Sequence, residues 1–113
     1  MTPLQLLERT AIEARISTGF YGSTDRILST IDAARCTLSP AAKRTPAMHS
    51  EAMAAQSIVL RELAKTILHT DLDEQHAYDE LRKLGETIHF GELRHYLSET
   101  IARLRQQEGQ AST

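Results

Sequence analysis

Residues 45–69, TPAMHSEAMAAQSIVLRELAKTILH, decide the fold of this 113-residue chain. Thr45-Pro46 pairs a capping side chain with a proline at the first helical position, where the missing N–H costs nothing. From there the pattern runs unbroken to about His69, roughly 36 Å at 1.5 Å per residue. At 100° steps Met48, Ala52, Ala55, Val59 and Leu63 form one narrow stripe, which reads as intramolecular core. Met53, Leu60, Ala64, Ile67 and Leu68 carry the apolar arc around a second side, and the spacing there fits two readings equally. One is a central bundle helix wrapped by its own chain; the other is a face for a partner or a second copy, with Arg61, Glu62 and Lys65 as rim charges. Met48 and Met53 suit the second reading, because thioethers fill irregular grooves. An arc this wide requires cover on both sides.

Working outward, Thr2-Pro3 repeats the cap-then-proline signal and opens a helix to about Ser17, with Leu4, Leu7, Ala11 and Ala14 as its stripe and Ile12 and Ile16 beside it. Gly19-Phe20-Tyr21-Gly22 breaks it. Ser23 or Thr24 then caps a second helix with Ile27, Ile31, Ala34 and Leu38 on one face, completing an αα-hairpin. The linker SPAAKRTP, residues 39–46, connects parts of one domain, since 38 upstream residues are too few for an independent core. On the C-terminal side Asp71 or Asp73 caps a fourth helix carrying Ala77, Leu81 and Leu84, which Gly85 ends as a left-handed residue. A fifth helix starts near Thr87, with Phe90, Leu93, Leu97, Ile101 and Leu104 at steps of three and four. Residues 106–113 have no apolar side chain larger than Ala and are expected to fray. The expectation is one all-α domain over residues 1–113, a bundle of about five helices around one long helix.

Composition narrows the function. The chain is 41% hydrophobic and 25% charged, with net charge −2, no Trp and five aromatics. Such a core is thin, and a partner subunit is expected on that ground. No apolar run is long enough for a bilayer span, and charges interrupt the N-terminal stretch where a signal peptide needs apolar residues, so the cytoplasm is expected. Residues 1–46 carry six Lys or Arg against four Asp or Glu, and residues 47–113 seven against eleven. Neither half offers the clustered basic stripe that phosphate binding requires.

Catalytic and metal chemistry find little support. His49, His69, His76, His89 and His95 are never four apart, so none makes the helical zinc pair, and they read as surface histidines. Cys36 is the single cysteine, has no base nearby in sequence and reads as a small buried apolar residue. Gly19 and Gly22 lack the strand and the Gly-Lys-Ser/Thr ending of a phosphate loop. No histidine is followed by the Lys-Gly of helical phosphotransfer domains. The expectation is a non-enzymatic interaction module without metal or cofactor.

The layout as a whole carries one resemblance. TPLQLLERTAIEARI (2–16), the GFYG turn (19–22), SPAAKRTP (39–46), the long Met/Ala/Leu helix and IHFGELRHYLSETIARL (88–104) together resemble the small quorum-sensing antiactivators of the QslA type. The resemblance implies a homodimeric helical protein that binds the ligand-binding domain of a LuxR-type transcription factor and occludes its dimerisation surface. A receptor that reads two half-sites as a dimer would then lose most of its DNA affinity. No functional residue is carried over from it. The competing class is a small helical secretion chaperone or adaptor.

Overall fold

The computed structural model describes residues 1–16 and 25–111, and the chain is an all-α bundle. Five helices follow in order: α1 (Pro3–Ile16), α2 (Leu28–Leu38), α3 (Pro46–Leu68), α4 (Glu74–Gly85) and α5 (Phe90–Ala111), with a 3-10 turn at Ala41–Lys43. The expected GFYG turn and the Ser23 or Thr24 cap lie outside the described residues. No helix among those described is long and apolar enough to cross a membrane.

Each helix start follows from its sequence. The Thr2 hydroxyl accepts from Gln5 N at 3.1 Å while Gln5 Oε1 accepts from Thr2 N at 2.8 Å, a reciprocal capping box ahead of Pro3. Thr45 Oγ1 accepts from Met48 N at 3.2 Å, with Pro46 at the first helical position. Of the two aspartates offered for α4, Asp73 is the cap and accepts from His76 N at 2.8 Å. Asp71 instead lies 3.6 Å from Arg61 Nη2. At the head of α2 the amides of Ile27 and Leu28 both donate to Asp25 Oδ1 at 3.0 Å.

The core has two axes. α3 spans the molecule, about 34 Å of helix against a longest dimension of 38 Å. It packs on α1, α4 and α5, with a lighter contact to α2. α1 is as central, lying against α2, α3 and α5. It therefore buries Leu6 and Thr10 as well as Leu7 and Ala14, and the Thr10 hydroxyl is satisfied by Leu6 O at 2.7 Å. Polar ties run antiparallel along α3 and α5: Glu62 Oε2 meets Arg103 Nη2 at 2.6 Å, and Thr66 and Thr100 touch one step further on.

Several expectations are corrected. Gly85 is not left-handed; it is glycine because of crowding, since a Cβ there would stand 2.2 Å from Asp25 Oδ1 and 3.2 Å from Ile27 N. The left-handed residue is His69, which closes α3 at φ 56° and ψ 32°. Cys36 is exposed rather than buried, because α2 packs through Thr30, Ile31 and Ala34, about 200° away from it around the helix. Leu38 and Met48 leave their predicted stripes for the surface. Met48 does so because every residue from 45 to 51 at the start of α3 is exposed. Finally, α5 stays helical through Ala111, although residues 106–109 are exposed and contribute no apolar anchor.

Candidate interaction surface

The wide apolar arc of α3 is covered by its own chain. Leu60 is 1% exposed and Ala64 0%, and both belong to the core, so the reading of these two as partner-facing is withdrawn. Ile67 is half-buried and packs against the same core. Met53 and Leu68, each 37% exposed, are the members of that group that reach the surface. The three rim charges separate as well. Glu62 is half-buried and tied to Arg103. Arg61 donates through Nε to Leu72 O at 3.1 Å and steadies the α3–α4 connection. Lys65 stands exposed.

The surface the sequence pattern underrated lies on α1. Ile12, 43% exposed, forms a ridge between two clefts. On one side a cleft of about 500 Å³ runs past Met1, Gln5 and Arg9 to Leu38 at the end of α2. On the other a groove of about 300 Å³ separates α1 from α5 and is floored by Ala11, Ile101 and Ala102. Ile16 extends the apolar line one turn further. Two ion pairs flank the ridge, Arg9 Nη2 to Glu13 Oε1 at 2.8 Å and Arg105 Nη2 to Glu8 Oε2 at 3.1 Å, while Arg15, which also lines the α1–α5 groove, stands exposed. The signal was present, because Ile12 and Ile16 flank the α1 stripe instead of belonging to it.

A second notch, about 290 Å³, opens where α2, α3 and α4 converge, lined by Leu28, Ile31, Asp32, Gln56, Leu60 and Tyr78. Gln56 Oε1 is buried and accepts no hydrogen bond among the described residues. Beside it Arg35 spans the α2–α3 seam, pairing with Asp32 and donating from Nη1 to Met53 Sδ at 3.0 Å.

Titratable groups serve the scaffold. Burial pushes the Asp25 carboxyl above its ordinary value, against the pull of the Leu28 and Ile27 amides. The His76 amide and ring hold Asp73 below its ordinary value. All five histidines are exposed; His76 Nδ1 lies 2.7 Å from Asp73 and His95 Nε2 2.9 Å from Glu99. Among the described residues no three His, Cys, Asp or Glu side chains come together as a metal site. No family model, curated protein or solved structure matches this chain.

Proposed function

We propose that this chain is a non-enzymatic protein-interaction module that pairs with a second copy of itself through the Ile12 ridge. The observation that carries the reading is the ridge with a cleft on each side. A two-fold axis through such a face sets each ridge into its neighbour's cleft, the knob-and-hole arrangement that isologous interfaces use. In the sharper form that the resemblance implies, the dimer captures the folded ligand-binding domain of a LuxR-type transcription factor and keeps it off DNA.

Sedimentation equilibrium of the full chain and of Ile12→Glu tests this reading. A dimer that the substitution converts to a monomer, with helical circular dichroism unchanged, is the expected result. A wild-type chain that stays monomeric at every concentration removes the dimer. For the sharper form, added chain should release a LuxR-type receptor from its operator. Binding of an unfolded secreted polypeptide in place of the folded receptor domain would support a chaperone instead.

A further inference from the structure

Two guanidinium groups line the groove between α1 and α5, those of Arg15 and Arg105, with Glu8 as the third charged side chain. Arg105 gives one hydrogen bond to Glu8 while its side chain stays 60% exposed. The exposed Arg15 side chain makes no ion pair or hydrogen bond among the described residues. We propose that this groove binds an acidic amphipathic helix of a protein partner, whose carboxylates at positions seven residues apart meet Arg15 and Arg105 while an apolar side chain between them lies on the floor.

Spacing sets that register. Arg105 is held at Glu8, and Arg15 follows seven residues later on α1, so the two cationic ends stand two turns, roughly 10 Å, apart along that helix. Positions i and i+7 of a third helix laid in the groove span the same rise on one face, with i+4 between them. The middle of the groove suits an apolar residue there: Ala11 and Ala102 add no bulk, and Ile12, 43% exposed, stands as one wall. Charge then selects the occupant. A guanidinium presents a planar fork of donors that a carboxylate fills with two bonds. A second copy laid across this groove brings no free acid from the same surface, because Glu8 is already paired, which leaves the cleft at Leu38 to self-association. Nucleic acid and anionic lipid surfaces are disfavoured, since a polyanion meets Glu8 in the groove and a chain of net charge −2. The site goes beyond the pairing of copies and does not require it.

The probe is a blocked, stapled helical peptide of about three turns, with glutamate at two positions seven apart and leucine four after the first. It is titrated against the full chain by fluorescence anisotropy. One control replaces both glutamates by glutamine; another moves one glutamate round the helix at constant composition. The probe should bind and shift the backbone signals of Ala11 and Ala102 in 1H–15N spectra. Each control should bind about two- to fivefold more weakly per misplaced or missing carboxylate, the size of an exposed ion pair. Arg15→Gln should weaken the probe by a similar factor, and Glu8→Gln, which frees the Arg105 fork, should tighten it, both with helical circular dichroism unchanged. No binding of the probe overturns the proposal, as do equal binding of either control, wild-type affinity in Arg15→Gln, and tighter binding of laurate alone, which would assign the groove to a fatty acid. Sedimentation of the same samples reads self-association separately: a dimer that ignores the probe defeats this site alone, and a monomer that binds it defeats the pairing alone.

Discussion

The hydroxyl oxygens of Thr66 on α3 and Thr100 on α5 lie 2.8 Å apart in the buried seam between the two helices. Donor accounting orients the contact. Arg103 Nη1 donates to Thr66 Oγ1 at 2.9 Å, and Thr100 Oγ1 donates to Tyr96 O at 2.8 Å. The single Thr66 proton has two acceptors in reach, Thr100 Oγ1 at 2.8 Å and Glu62 O at 3.1 Å, and the shorter contact carries a relay from Arg103 through both hydroxyls to the α5 backbone. Glu62 closes the cluster by accepting from Arg103 Nη2 at its carbonyl, 2.8 Å, and at its carboxylate, 2.6 Å. This relay sets the register of the two longest helices, which apolar packing alone leaves loosely specified.

Thr66→Val keeps the shape and removes the hydroxyl, leaving an Arg103 N–H without its acceptor and Thr100 without a donor. The expected loss is about 1–3 kcal/mol in urea unfolding, the cost of unsatisfied buried groups. Thr100→Val breaks the same relay, so the double variant should lose clearly less than the two single losses added together. Full additivity would mean that the two hydroxyls act independently.

Gly85 and Asp25 form the second coupled pair. A methyl group at 85 meets Asp25 Oδ1 at 2.2 Å, and the same oxygen caps α2. Gly85→Ala therefore displaces the cap as well as crowding the contact, and about 1–3 kcal/mol should be lost. Asp25→Ala costs about 0.5–2 kcal/mol through the cap alone. Combining the two changes should cost less than their sum, because the oxygen in the way is gone; equilibrium unfolding of the three variants measures this.

The two shifted carboxylates give opposite pH dependences. Asp25, raised by burial, binds its proton more tightly folded than unfolded, so its contribution falls as the pH climbs from 3.8 through the folded value. Asp73, lowered by its bond from the His76 amide, contributes stability above 3.8 that is lost as the pH falls through its folded value. Asp25→Asn retains a capping oxygen and removes the charge. Its melting temperature relative to wild type should accordingly be higher near neutral pH than below pH 3.8. For Asp73→Asn the order reverses, since that variant forfeits a contribution present only when the carboxylate is charged.

Much of this architecture was legible in the sequence, for local reasons. Thr2-Pro3, Thr45-Pro46 and Asp73 place helix starts by short-range hydrogen bonds, and Leu93, Leu97, Ile101 and Leu104 place the inner face of α5 by period alone. What covers a given arc depends on contacts distant in sequence, which spacing does not encode. The α3 pattern thus left the Leu60 and Ala64 side open to either reading, and the structure closes it with the same chain. For the same reason the αα-hairpin pattern of α1 carried no sign of its contacts with α3 and α5, which make it a second axis. The crowding at Gly85 was equally invisible, because it arises from Asp25, sixty residues upstream.

Leu60 and Ile58 turn that lesson into a measurement. Leu60 is enclosed by the core, while Ile58 lies on the same helix among polar neighbours at 45% exposure. Leu60→Asp buries a carboxylate without a partner and should abolish cooperative unfolding or cost more than about 4 kcal/mol. Ile58→Asp should stay within about 0.5 kcal/mol of wild type. Folded, wild-type-like Leu60→Asp would mean that this side of α3 is open after all.

His69 closes α3 in the left-handed region with a Cβ, and its backbone N–H still reaches Lys65 O at 3.0 Å. A left-handed conformation costs an ordinary L residue about 1–2 kcal/mol, a penalty glycine escapes. Glycine gives back part of that gain through its larger unfolded-state entropy. His69→Gly should therefore stabilise the chain by roughly 0.5–1 kcal/mol, seen as a higher denaturant midpoint with an unchanged slope. The exposed imidazole makes no core contact to lose, so the backbone effect is isolated. His69→Val should move the midpoint down, since a β-branched side chain fits this conformation worst. If glycine lowered the midpoint as well, the imidazole itself would be stabilising the turn, and the conformational account of this helix end would fail.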